Sequence, residues 1–116
     1  MTIKEFYGKI GGDYEGVVKR MMSEARVKKY VKKFPENATF GKLCENMSNE
    51  DYENAFLEIH SLKGMSMNIG VPELTEACSE LTEALRGGPK GDVNSLFETV
   101  KETYEKIVGL IQMITE

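Results

Sequence analysis

His60 is the only histidine of this 116-residue chain, and two residues suited to phosphate chemistry follow it at helical spacing. Lys63 and Gly64 stand three and four positions later, so on a helix all three residues share one surface patch. Neutral imidazole is a nucleophile, lysine is a mobile point charge suited to phosphate, and glycine leaves room for another molecule beside the ring. This pattern favours covalent carriage of a phosphoryl group on His60.

Each of the three residues also has an ordinary structural interpretation. A lone histidine at the edge of an apolar face is usually structural, a helical glycine can mark close packing of two helices, and a lysine is commonly a solvated charge. A glycine inside a helix nevertheless costs about 1 kcal/mol relative to alanine. The conjunction of the three strengthens the functional interpretation, but it does not by itself name the function.

Amphipathic helices are the elements that would position His60. Apolar residues recur at helical spacing along most of the chain, and no stretch shows the alternation of a strand. The helix that holds His60 is predicted to run from about Asn49 to Asn68, with a Ser-x-x-acidic start at Ser48. Residues 70–72, Gly-Val-Pro, are expected to end it.

The predicted fold class is all-α. Short breaks between long amphipathic helices favour antiparallel neighbours, so we predict an antiparallel four-helix bundle with one or two short additional helices at its N-terminal end. The length fits a single domain over residues 1–116. Met1 and an amphipathic helix that runs to the last residues favour a free-standing protein, with a fragment of a larger kinase as the alternative.

Composition narrows the classes of partner. The net charge is −4 and the pI about 5.2, which argues against nucleic acid as the main partner without excluding a local basic patch. No apolar stretch is long enough to span a bilayer, and none follows the N-terminus as in a signal peptide. Cys44 and Cys78 make no disulfide framework, so we expect a protein of the reducing cytoplasm. The apolar residues suffice for the core of a single copy, so we expect a monomer.

The segment His60-Ser61-Leu62-Lys63-Gly64, followed by Ile69-Gly70, resembles the His-x-Leu-Lys-Gly signature of histidine phosphotransfer (HPt) domains. The similarity extends through the next apolar helix to the basic Arg86, and so covers roughly Phe56 to Arg86. Two positions depart from the family pattern: Ile59 stands where the family often has Ala, and Met65 where it often has Ser or Ala. Both are bulkier and bear on helix packing more than on chemistry.

The resemblance implies roles for individual residues in a two-component phosphorelay. His60 would accept a phosphoryl group from a phospho-aspartate on a receiver domain and pass it to another receiver. Lys63 would neutralise part of the phosphoryl charge, and Gly64 would keep the surface open for docking. Arg86 could add basic character nearby.

The resemblance also implies partners and a docking surface. Phe56 and Met67 would form an apolar docking patch, although bundle core is at least as good an interpretation of both. Receiver domains of response regulators and a hybrid sensor histidine kinase would be the partners. Because the Mg²⁺ for transfer belongs to the receiver in this family, we expect no cofactor and no metal site in this chain.

Two other classes of function compete with phosphotransfer. A helical adaptor could dock receivers or other signalling proteins without carrying phosphate, but the intact set of His60, Lys63 and Gly64 disfavours it. An autonomous enzyme has no support, since neither a Gly-x-x-x-x-Gly-Lys-Ser/Thr loop nor a Gly-x-Gly-x-x-Gly pattern occurs. We therefore expect a phosphotransfer carrier without kinase activity of its own.

Overall fold

The computed structural model describes residues 1–116 and contains helices joined by turns. Three short helices come first: α1 (Ile3–Lys9), α2 (Tyr14–Met21) and α3 (Glu24–Lys33), with a single 3₁₀ turn at Phe34–Glu36. The remaining helices are α4 (Thr39–Ser48), α5 (Tyr52–Ile69), α6 (Pro72–Leu85) and α7 (Val93–Gln112). The predicted all-α class is confirmed.

Helices α4 to α7 form the bundle. Each packs mainly against its neighbour in sequence, α4 on α5, α5 on α6 and α6 on α7. Phe40 of α4 stacks on Tyr104 of α7 with 4.0 Å between ring centroids, which closes the bundle. Because short turns join the helices, successive helices run antiparallel, as the spacing of breaks predicts. One hydrophobic core of 27 buried residues extends from Ile3 to Ile114.

The N-terminal region contains three helices where one or two were predicted, because it is interrupted twice. Gly11 adopts a left-handed φ of 67° after α1, and Met22 adopts one of 70° after α2. Ser23 then caps α3 by accepting a hydrogen bond from the Arg26 N–H. A left-handed methionine is uncommon, so the apolar pattern gave no sign of this second break.

The helix that carries His60 begins later than predicted. Ser48 lies in the last turn of α4, which ends where Glu50 adopts a left-handed φ of 54°. The Asp51 side chain is the cap of α5 and accepts a hydrogen bond from the Asn54 N–H. The prediction of a start at Ser48 was wrong because residues 49–51 are needed for the turn between the two helices.

The first two helices close the C-terminal end of α5. The last carbonyls of a helix have no partner within it. Here the Tyr7 hydroxyl donates to the main-chain oxygen of Ile69 at 2.5 Å in a buried position. The Arg20 guanidinium donates to the main-chain oxygens of Met67 and Asn68 at 3.1 and 2.5 Å. The N-terminal region is therefore bonded directly to the helix that carries His60.

A close backbone approach fixes the same junction. A Cβ atom on Gly12 would lie 2.9 Å from the main-chain oxygen of Gly70, closer than Cβ atoms approach in real proteins. Gly70 itself has a φ of 72°, and a Cβ there would meet the Val17 side chain at 2.5 Å. Only glycine fits at either position without displacement. None of the helices is both long and apolar enough to cross a membrane.

Candidate functional site

His60 lies midway along α5, at the edge of its buried stripe. Its neighbours Ile59 and Leu62 are buried in the core, whereas His60 itself is exposed. The imidazole ring stacks on the ring of Phe56, one turn earlier, with 6.2 Å between centroids and 21° between planes. The core thus fixes the helix, and the aromatic contact orients the exposed imidazole.

Gly64 leaves an open surface one turn after His60. It is exposed, and a Cβ atom built on it would have no heavy atom within 4 Å. Close packing between helices, the ordinary interpretation of a helical glycine, does not apply here. The cost of about 1 kcal/mol for a glycine inside a helix is therefore not offset by any contact within the chain.

Lys63 of α5 is half-buried, and its positive charge affects the pKa of two side chains of α6. Burial raises the pKa of the Cys78 thiol to about 12, and the positive charge of Lys63 opposes this shift. The pKa of the Glu83 carboxyl is lowered, first by its hydrogen bond with Arg86 and the charge of that residue, and further by Lys63 and Lys90. The charges of Arg86, Lys63 and Lys90 thus all favour the ionised form of this exposed carboxylate.

Arg86 lies beside Phe56, the aromatic neighbour of His60, although it is distant from both in sequence. Its guanidinium donates two hydrogen bonds to the Glu83 carboxylate, at 3.1 and 3.3 Å. The guanidinium carbon also lies 5.3 Å from the centre of the Phe56 ring, which stacks on His60. The structure therefore brings together His60, Phe56 and Arg86, three of the residues selected from the sequence.

The outward face of α5 displays apolar side chains on both sides of His60 along the helix. Met67 is 54% exposed, so bundle core, its alternative interpretation, does not describe it. Phe56 is half-buried and packs against the core with part of its ring. Leu57, which the sequence reasoning missed, is 57% exposed. Its signal was available, because it is a large apolar residue outside the buried stripe of its own helix.

A buried polar link holds α5 against α6 beneath Lys63. The hydroxyl of Ser66 lies 2.7 Å from that of Thr75 and donates to the main-chain oxygen of Lys63 at 2.7 Å. Ser66 is fully buried, and no buried side-chain nitrogen or oxygen atom in the chain lacks a partner. A satisfied buried bond of this kind specifies how two helices sit against each other, and the sequence reasoning did not identify it.

The site is an exposed helix face rather than an enclosed pocket. None of the principal surface cavities includes His60 among its lining residues. Small-molecule sites usually enclose most of their ligand, whereas an exposed imidazole is accessible to a macromolecule. No group of three or more His, Cys, Asp or Glu side chains is placed to hold a metal ion.

A family model described as Hpt domain matches residues 36–110, more than half of the chain. The match includes α4, α5, α6 and most of α7, and therefore every residue of the candidate site. No curated protein and no solved structure matched the sequence. Hpt domains act in histidine phosphotransfer within phosphorelays, where they interact with receiver domains and kinases. The chain belongs to the Hpt domain family, as the His-x-Leu-Lys-Gly resemblance predicted.

Proposed function

We propose that this chain is a relay intermediate: His60 accepts a phosphoryl group from the phospho-aspartate of one receiver domain and passes it to another. The observation that carries the proposal is the exposed imidazole with an open helix surface at Gly64 beside it. Access is required because the phosphoryl group must move directly between two proteins. An imidazole inside a pocket would not reach an aspartate held on another domain.

The step is a displacement at phosphorus. The lone pair of the unprotonated ring nitrogen of His60 attacks the phosphorus of the acyl phosphate and forms an N–P bond. The P–O bond to the aspartate breaks, and the carboxylate leaves with the electron pair. The other ring nitrogen keeps its proton during the attack. Return of the group to a second receiver is the same step in reverse with a different carboxylate.

Lys63 is the cation of this chain that would stabilise the moving group. Phosphoryl transfer depends mainly on positioning and on electrostatic stabilisation of the equatorial oxygens. Lys63 stands one turn from His60 on the same patch, where its flexible side chain can follow the phosphoryl group. We propose that the Mg²⁺ of the reaction is held by the receiver and that this chain supplies no metal ligand.

The surface around His60 would dock the partner. Leu57 and Met67 lie exposed on either side of it along α5, and Gly64 lets the backbone of a partner approach closely. Exposed apolar side chains beside a reactive group are typical of a protein interface. We propose receiver domains and a hybrid sensor histidine kinase as the partners, with the chain acting as a monomer in the cytoplasm. Arg86 would add positive charge at the rim through its contact with Phe56.

The decisive experiment is phosphotransfer from a receiver domain phosphorylated on its aspartate, with Mg²⁺ present, to the wild type and to His60→Gln. His60 is exposed, so the variant should fold normally, which circular dichroism would verify. We expect label only on the wild type, stable to base and labile to acid. Equal labelling of His60→Gln would refute the proposal. Binding of receivers with no transfer would identify the chain instead as a helical adaptor.

A further inference from the structure

The third helix concentrates positive charge in a chain that is acidic overall. Five cations and one acidic residue give α3 a net charge of +4, whereas the whole chain has −4. These cations are Arg26, Lys28, Lys29, Lys32 and Lys33. Helix α3 also lies before residues 36–110, the part of the chain that the Hpt family model matches. Its charge is therefore not explained by family membership.

Two of these cations have partners within the chain and three do not. Lys28 lies 4.0 Å from the Glu116 carboxylate, and Lys32 donates to the main-chain oxygen of that residue. The side chains of Arg26, Lys29 and Lys33 make no ion pair and no hydrogen bond, and all three are exposed. They stand at i, i+3 and i+7, so they form one row along the helix, here named the α3 basic row.

Neither ion pairs nor hydrogen bonds within the chain explain this row, and of its three residues only Lys33, in the last turn of α3, is placed favourably for the helix dipole. Like charges three or four residues apart on a helix repel each other. The opposite face of α3 is already used, since Val27 and Val31 are fully buried in the core. The helix therefore has no free apolar face that could insert into a bilayer, which separates it from the amphipathic helices that bind membranes.

Lys33, at the end of the α3 basic row, lies beside the part of α5 that follows His60. Helix α3 packs against α5. Tyr30 and Lys33 line one cleft of about 160 Å³ with Met65 and Asn68 of α5. Met65 and Asn68 are the residue after Gly64 and the residue one turn beyond it. A protein seated over Gly64 would therefore have its edge beside α3, where Tyr30 is 46% exposed.

We propose that the α3 basic row is a second contact surface for the receiver domain that docks over His60, and that it selects receivers whose surface beside the phospho-aspartate is acidic. The inference rests on the proposed relay function. Charges at the rim of an interface act mainly on the rate of association and on partner choice. Their effect is screened by salt, because the Debye length is about 10 Å at 0.1 M.

The test compares two charge reversals of equal size on two of the short N-terminal helices. Lys29→Glu/Lys33→Glu reverses two charges of the row. Lys4→Glu/Lys9→Glu makes the same change in net charge on α1, where both lysines are exposed and unpaired. Lys9 and Lys33 each lie in the last turn of their helix, so their effects on helix stability are matched. The donors are two phosphorylated receiver domains, one with an acidic and one with a basic surface around its aspartate.

We expect Lys29→Glu/Lys33→Glu to lower kcat/KM for the acidic receiver by about tenfold at low salt, with kcat at saturation within about twofold of wild type. The loss should shrink as salt is added, and the preference for the acidic receiver should disappear. The control pair should change kcat/KM by less than about twofold. A kcat/KM and salt dependence equal to those of the wild type would overturn the inference while leaving the relay function intact.

Failure of the relay function itself gives a different pattern. If the wild type accepts label from neither receiver, measured affinities for the two receivers still test whether the α3 basic row contacts them. Loss of affinity in Lys29→Glu/Lys33→Glu but not in the control would then support it. The wild type could instead bind phosphatidylserine vesicles or associate with itself. If only the row variant abolished that binding while transfer stayed unchanged, the row would belong to another partner, and the inference would be overturned.

Discussion

Arg86, at the end of α6, places its guanidinium carbon 5.3 Å from the centre of the Phe56 ring of α5. The Phe56 ring also stacks on His60. A single ring of α5 therefore contacts both the Arg86 guanidinium and the His60 imidazole. The two hydrogen bonds to Glu83 hold Arg86 in this position. Both charged side chains are exposed, and an exposed ion pair is weak. On the proposed function, we therefore expect a phosphoryl group on His60 to compete with Glu83 for Arg86.

Neutralising Glu83 should therefore favour the phosphorylated form of His60. Glu83→Gln removes a negative charge near the doubly charged phosphoryl group and releases Arg86 to approach it. In water, a single charge about 10 Å from a doubly charged group shifts such an equilibrium by about 0.8 kcal/mol, or roughly fourfold. The measurement is the division of label between receiver and Hpt protein at equilibrium. Glu76→Gln, on the same helix but near its start, should leave that division unchanged.

Alanine at Gly64 should stabilise the fold and impair transfer. A Cβ there meets nothing within the chain, so Gly64→Ala should raise the free energy of unfolding by up to about 1 kcal/mol. The same Cβ would stand where the partner must approach His60, so kcat/KM for transfer should fall. Urea unfolding and the transfer assay measure the two effects.

Gly109 provides the matched control for Gly64. It is also exposed, helical and free of any heavy atom within 4 Å of an added Cβ, but it lies in α7, near the end of the chain. Gly109→Ala should give a similar gain in stability with no change in transfer. If Gly64→Ala transfers as fast as Gly109→Ala, the open surface beside His60 is not needed.

The hydroxyl of Tyr7 should contribute to stability although Tyr7 lies outside the matched family residues. Tyr7→Phe leaves the buried main-chain oxygen of Ile69 without its donor, and such a loss costs about 1–3 kcal/mol. Tyr14→Phe removes an exposed hydrogen bond to Glu24 and should cost less. Urea unfolding of both variants gives the comparison. If both variants lost the same free energy of unfolding, the buried hydrogen bond at the end of α5 would stabilise the fold no more than the exposed one does.

Stability should decline at high pH because of Cys78. Burial raises the pKa of its thiol from 9.0 to about 12 in the folded protein. Above pH 9 the unfolded chain loses this proton while the folded chain keeps it. The contribution of the thiol to the free energy of unfolding is therefore fully present below pH 9 and is lost as the pH rises towards 12. In Cys78→Ala the decline between pH 9 and 11 should be shallower, as urea unfolding under reducing conditions would show. An identical slope would exclude the thiol as the cause.

The helical bundle, and the position of His60, Lys63 and Gly64 on one helix surface, could be predicted because both depend on spacing along the sequence. Apolar periodicity placed the helices, and the separation of His60, Lys63 and Gly64 placed them on one patch. The contact of Arg86 with Phe56 could not be predicted, because it depends on how α6 lies against α5. The left-handed backbone at Met22 could not be predicted from the residue type, because methionine seldom adopts this conformation. Leu57 could not be selected by apolar periodicity, because periodicity marks the buried stripe of α5 and Leu57 lies outside it.

The exposure of His60 has a consequence for signal amplitude. No helix or loop covers the imidazole, so on the proposed function a phosphoryl group on His60 would be accessible to water and to any receiver that collides with it. The protein would not then retain the group for one recipient by enclosing it. Phosphorylated molecules would form a shared pool that equilibrates among competing receivers according to their abundance and the equilibrium constant of each transfer. On the proposed function, the cell would adjust the output by changing the number of receivers rather than by opening a gate.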